Sequence, residues 1–150
     1  MGNRAVITLD NQPTGKSVGI YLHWNGGEES ILAFAEAAKH LHIRKPDDDP
    51  PYSIARLVQV IGNYFGGTLS LGVGILEHLD CDNGNNGVFI VGWDENGVTL
   101  KNSPKGHLTM HSFTDCDQDK IKKHVYWKRD DTGKNILDNV LAANALPFKG

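Results

Sequence analysis

Two pairs of strand-length apolar runs, each joined by turn-forming residues, constrain the fold of this chain most strongly. Runs of this length, rich in Val, Ile and Leu and separated by Gly, Pro, Asn and Asp, are typical of β-hairpins. The expected strands are Arg4 to Leu9 paired with Val18 to Trp24, and Val88 to Trp93 paired with Val98 to Lys101 around an Asn96-Gly97 turn. A chain with two hairpins is expected to contain a largely antiparallel sheet.

Two longer apolar patterns have helical spacing. From Glu28 to Leu41 apolar residues recur at helical intervals, and two glutamates stand at the expected positive end of the helix dipole. Proline and aspartate between Pro46 and Pro51 predict an extended linker, after which Ser53 is expected to cap a second helix that ends at Gly66. Two further helices are expected, from Gln118 to Trp127 and from Asn135 to Ala145.

Between the second helix and the second hairpin, apolar residues alternate with serine and glycine from Leu69 to Ile75. This pattern predicts a strand with unusually small residues on one face, which requires close packing by a neighbouring segment or a bend in the strand. The predicted elements together describe a single α+β domain over residues 1–150, with a mainly antiparallel sheet and helices packed on it.

Composition restricts the class of protein. A hydrophobic fraction of 39% and a charged fraction of 22% are those of an ordinary folded domain rather than a disordered chain. The net charge of −3, with both signs interspersed, argues against direct nucleic-acid binding. The N-terminal apolar stretch from Ala5 to Leu9 is too short for a signal peptide or a membrane span, so we expect a cytoplasmic protein that does not bind membranes.

Cysteine and histidine cluster in two similar segments. Asp80-Cys81-Asp82 follows one histidine, and Asp115-Cys116-Asp117 follows two. Zinc sites often take two Cys or His ligands from each of two short segments, so we expect a closed, structural zinc site. Its candidate ligands are His78, Cys81, His107, His111 and Cys116. The alternative is that both cysteines are small buried residues and the histidines lie on the surface.

The loop between the second expected strand and the first helix is a candidate phosphate site. Its glycines would let backbone N–H groups approach an anion at a helix N-terminus. The residues Asn25 to Ser30 resemble the phosphate loop of the ATP pyrophosphatase family, Ser-Gly-Gly-x-Asp-Ser, and depart from it at Asn25 and Glu29. The resemblance implies a nucleotide- or phosphate-binding enzyme or sensor that uses Asn25, Gly26, Gly27 and Ser30. The alternative is a packing turn, because Glu28 and Glu29 would repel phosphate.

Three segments, Asn3 to Thr8, Tyr21 to Gly27 and Ala55 to Gly72, resemble small accessory proteins of bacteriophages and prophages. This resemblance implies a non-enzymatic inhibitor that acts in the cytoplasm of the host cell. The expected partner is a host defence protein such as a CRISPR effector nuclease, as for anti-CRISPR proteins, some of which are built around a metal ion. A structural or regulatory phage protein with neither a zinc nor a phosphate site is a further hypothesis.

Overall fold

A computed structural model describes residues 2–103 and 136–145 of the chain. These residues form five strands and three α-helices. The strands are β1 Ala5–Leu9, β2 Val18–Leu22, β3 Leu71–Ile75, β4 Val88–Asp94 and β5 Gly97–Ser103, and the helices are α1 Glu28–His40, α2 Pro50–Phe65 and α3 Ile136–Asn144. The two hairpins, the two central helices, the third strand and the last helix are confirmed. The helix expected from Gln118 to Trp127 lies outside the described residues.

The strand order across the sheet is β3-β2-β1-β4-β5. Only the central pair, β1 with β4, is parallel among the described strands, and the other neighbouring pairs are antiparallel. A parallel pair cannot be closed by a tight turn. The chain therefore leaves β1, forms β2, α1, α2 and β3, and returns to β4 beside β1. This mainly antiparallel sheet with packed helices confirms the predicted α+β class.

One face of the sheet and the three helices form the larger hydrophobic core. Ala5 and Ile7 of β1 point into it, together with Phe34 of α1 and Leu57 of α2. Every residue of α1 from Ser30 to Ala38 is buried, because the helix lies between the sheet and the other two helices. Full burial of a Leu, Ile or Phe side chain contributes roughly 1.5–3 kcal/mol, so this core is the main source of stability.

The opposite face of the sheet is covered by the segment that follows β3. A smaller core forms there around Val6, Leu76 and Cys81. A Cβ atom on Gly74 of β3 would lie 3.4 Å from Cδ2 of Leu79, so this leucine packs directly on the strand backbone. The close packing predicted from the small residues of this strand is therefore confirmed.

The helix α2 begins earlier than the sequence predicts. Its N-cap is Asp49, whose carboxylate accepts a backbone N–H of the first turn, and Pro50 and Pro51 are the first helical residues. Prolines fit there because the first N–H groups of a helix have no partner within it. The prediction of an extended linker is therefore wrong for these two prolines. The cap predicted at Ser53 is also wrong, because this buried hydroxyl donates to the Arg44 carbonyl.

The β4–β5 hairpin closes one residue earlier than expected. Asp94 pairs with Gly97, which leaves Glu95 and Asn96 as the two turn residues. The Asp94 carboxylate accepts the Asn96 N–H at 2.8 Å, and Gly97 has a φ of 134°, a conformation that residues with a side chain rarely adopt. The glycine expected inside the turn is thus the first residue of β5.

One buried side chain, Asn83, organises the loop before β4. Its amide nitrogen donates to the carbonyls of Asp80 and Gly87 at 3.0 and 3.2 Å. Its amide oxygen accepts the N–H groups of Asn85 and Gly87, both at 3.1 Å. Since the amide offers two donor hydrogens and two acceptor lone pairs, all of its hydrogen-bonding capacity is used inside the protein.

Replacing Asn83 with aspartate would keep the side chain's shape and remove both donors. The carboxylate would then face the carbonyl oxygens of Asp80 and Gly87 in a buried site. We expect N83D to lower the free energy of unfolding by about 3 kcal/mol, measured by urea denaturation. The control is N96D on the exposed β4–β5 turn, which should change it by less than about 0.5 kcal/mol. Equal effects of the two substitutions would contradict the organising role of Asn83.

Candidate functional site

The described residues include two of the five candidate zinc ligands, His78 and Cys81. His78 ends a short 3-10 helix, Leu76–His78, and is exposed, whereas Cys81 is only 1% exposed. The Cys81 thiol donates to the Leu76 carbonyl, with an Sγ–O distance of 3.4 Å. Cys81 is therefore a small buried side chain with a satisfied weak donor, as the alternative interpretation of the cysteines requires.

The electrostatic environment of Cys81 favours the protonated thiol. Burial, reinforced by the negative charge of Asp80, raises its pKa to about 11. Zinc binds the thiolate, so coordination would require Cys81 to lose its proton and its present hydrogen bond. In residues 2–103 and 136–145, no three His, Cys, Asp or Glu side chains are placed to hold a metal ion together. His107, His111 and Cys116 lie outside the described residues, and the zinc site stays a prediction.

The zinc hypothesis predicts that the purified protein contains stoichiometric zinc, measured by inductively coupled plasma mass spectrometry. Cys81→Ser separates the two roles of Cys81, because a serine hydroxyl can still donate to the Leu76 carbonyl but cannot supply a thiolate. Loss of zinc in C81S and in C116S would identify both cysteines as ligands. A wild-type protein without zinc, or a C81S protein that retains it, would contradict the predicted ligand set.

The predicted phosphate loop connects β2 to α1 and packs against the start of β1. The Gly26 N–H donates to the Asn3 carbonyl at 2.8 Å. A Cβ atom on Gly26 would lie 2.5 Å from that carbonyl oxygen and 2.8 Å from the Cβ of Ala5. The preceding Asn25 has a φ of 59°, in the left-handed region that asparagine tolerates better than most residues. Tight backbone packing therefore accounts for the glycine at position 26.

The N-terminus of α1 already carries negative charge. Gly27 is its N-cap, and Glu28 and Glu29 occupy the first turn. A Cβ atom on Gly27 would lie 3.1 Å from a carboxylate oxygen of Glu29. Ser30 is 7% exposed. These carboxylates oppose the approach of an anion to the helix end, so phosphate binding by Asn25, Gly26, Gly27 and Ser30 stays a prediction.

The two glycines of this loop give a matched pair of substitutions. We expect G26A to lower the free energy of unfolding by roughly 1–3 kcal/mol, because its methyl group would overlap backbone atoms. G27A should cost less than about 1 kcal/mol, since only movable side-chain atoms lie near its methyl group. Equal stability of both variants in urea denaturation would contradict the packing role. A melting temperature of the wild type raised by ATP would instead support the nucleotide hypothesis.

The structure also reveals a surface that the sequence pattern does not identify, at the outer edge of β3. This strand is the last in the described sheet, and its outward N–H and C=O groups pair with no described strand. Val73, at its centre, is 55% exposed, and Val18 of β2 is 42% exposed. We call the outer edge of Leu71–Ile75, together with Val73 and Val18, the β3 surface.

An apolar concavity of about 410 Å³ adjoins the β3 surface at Val18. It lies between the end of the β1–β2 hairpin and the first turns of α2, where Pro50, Pro51 and Ile54 line it. The alternation of Leu71, Val73 and Ile75 predicts the strand. Nothing in that alternation indicates that α2 leaves Val73 uncovered, because the exposure depends on where the helix lies on the sheet.

Comparison of the chain with protein-family models, with curated proteins and with solved structures finds no match. The helices described here, α1, α2 and α3, are each too short or too polar to cross a bilayer.

Proposed function

We propose that this protein is a non-enzymatic binding module that recognises a protein partner through the β3 surface. The observation that carries the proposal is the exposure of Val73 at the centre of an outer strand. Large apolar side chains exposed on a sheet edge commonly mark interaction sites, since both the side chain and the backbone can be satisfied by a partner.

The sequence of β3 lacks the features that protect sheet edges from pairing. Proteins usually place Lys, Pro or a bulge on an exposed edge strand. The residues Leu71–Ile75 contain no charge and no proline, and they pair with β2 in unbroken register. An extended segment of a partner could therefore continue the sheet. Backbone hydrogen bonds to β3 would provide affinity, and Val73 would contact every second side chain of that segment.

We propose further that the partner is a host defence protein such as a CRISPR effector nuclease, and that the protein acts in the cytoplasm of the host cell. The support for this narrower proposal is the resemblance of three segments to small bacteriophage and prophage proteins. A binding module can block an enzyme by occupying its surface, which needs an exposed docking surface and no catalytic centre in the module itself.

The direct test measures DNA cleavage by a panel of purified, guide-loaded CRISPR effector nucleases in the presence of this protein. We expect stoichiometric inhibition of at least one effector. Val73→Lys should weaken inhibition at least about tenfold, because its charge would have to be desolvated in the interface. Val73→Thr, which keeps the branched shape, should inhibit nearly as well as the wild type.

The partner and the docking surface are tested by different outcomes. Because Val73 is more than half exposed, both variants should melt within a few degrees of the wild type, and circular dichroism checks this. Inhibition of no effector would contradict the identity of the partner. Inhibition by V73K equal to that of the wild type would contradict docking through the β3 surface.

A further inference from the structure

A cluster of two arginines around one tyrosine lies in the first two turns of α2 and the loop before it, and it shares no residue with the β3 surface. The Cζ atom of Arg44 lies 4.7 Å from the centre of the Tyr52 ring, and that of Arg56 lies 5.2 Å from it. Both distances are within the range of cation–π interactions. Both arginines are exposed and Tyr52 is half-buried. We call these three residues the Arg–Tyr–Arg cluster.

The cluster is held in place before any partner binds. The Arg44 backbone is anchored because its carbonyl accepts a hydrogen bond from the hydroxyl of buried Ser53. The Arg44 guanidinium donates to Asp49 at 2.8 Å, and the Arg56 guanidinium donates to Gln59 at 2.7 Å. Each guanidinium has further N–H donors, since arginine carries five. A surface ordered in this way loses little conformational entropy on binding.

The charges of the cluster do not balance. Arg44 is paired with Asp49, whereas the Arg56 guanidinium, within the described part of the chain, donates to the neutral amide of Gln59 and to no carboxylate. One positive charge is therefore left without an acidic partner among these residues. The loop before α2 exposes Asp47 and Asp48, which would repel a polyanion such as nucleic acid much more strongly than a short segment with one or two carboxylates.

A concavity of about 520 Å³ adjoins the cluster. Tyr52 and Arg56 form part of its wall, and Leu41, which is 39% exposed, contributes apolar surface. Asn63 and Asn144 line it as well, and their side chains are hydrogen-bonded to each other at 2.9 Å, which ties α3 to α2. The concavity therefore offers apolar contact in the same space that Arg56 lines.

We propose that the Arg–Tyr–Arg cluster binds an acidic segment of a protein partner, in which a carboxylate side chain lies next to an apolar one. The carboxylate accepts two parallel hydrogen bonds from the Arg56 guanidinium, the geometry that arginine favours. The apolar neighbour occupies the concavity beside Leu41. Arginine and tyrosine are also among the residue types most enriched at the energetic centres of protein interfaces.

The test uses nuclear magnetic resonance titration of the full chain with the capped tripeptide acetyl-Glu-Leu-Glu-amide. We expect the amide resonances of Tyr52, Arg56 and Asn63 to shift on binding. Arg56→Gln should weaken the affinity about tenfold, because it removes a charge-assisted bidentate contact. Lys16→Gln is the matched control, since it removes one exposed charge elsewhere on the surface and should leave the affinity unchanged.

Two further probes distinguish recognition of a carboxylate from non-specific association. Acetyl-Gln-Leu-Gln-amide and inorganic phosphate, at the same concentrations, should not shift these resonances. Equal shifts with either probe, no shift with the glutamate peptide, or equal affinity of R56Q and the wild type would overturn the proposal. Val73→Lys should bind the peptide as the wild type does, so the result does not depend on the β3 surface. Loss of binding in V73K would place the peptide on β3 and overturn the proposal as well.

Discussion

Burial of β1 on both faces is the constraint on which the rest of the structure depends. All five residues of Ala5–Leu9 are buried, and β2 and β4 are hydrogen-bonded to its two edges. A strand with no solvent-facing residue needs cover on both sides of the sheet, which is the situation of strands in parallel sheets. The helices cover one side and the segment after β3 covers the other, where Gly74 admits Leu79 and Asn83 satisfies the buried loop backbone.

The helices that pack over β1 leave the outer strand β3 more exposed to solvent. The apolar residues of α2, among them Leu57 and Ile61, join the core above the centre of the sheet, while Val73 on the same face as that core stays 55% exposed. The outward side of α2 carries Tyr52 and Arg56 instead. We propose protein recognition at both surfaces. At the β3 surface it would use backbone hydrogen bonds and Val73, and at the Arg–Tyr–Arg cluster it would use guanidinium groups and an aromatic ring.

The chemistry expected from short motifs depends on surroundings that the motifs do not contain. Cys81 stands in an acidic triplet beside a histidine, yet its burial gives it a pKa of about 11 and a hydrogen bond to a carbonyl. Gly26 stands in a loop that resembles a phosphate-binding turn, yet its N–H donates to the Asn3 carbonyl. The same carbonyl lies so close that a side chain at position 26 would overlap it. In both cases the role depends on a backbone atom outside the motif. For Cys81 it is the Leu76 carbonyl, and for Gly26 it is the Asn3 carbonyl.

The sequence by itself determined the local elements, because periodicity, turn residues and caps act over a few neighbouring residues. It predicted the hairpins, α1, the end of α2 at Gly66 and the α+β class. It misplaced the start of α2, since Asp49 and Ser53 can both cap a helix and only the contact of Ser53 with Arg44 decides between them. The tertiary structure alone decided the parallel β1–β4 pairing, the exposure of Val73 and the meeting of Arg44 with Arg56 at Tyr52. These features depend on contacts between segments far apart along the chain or on the path of a loop, which local patterns do not encode.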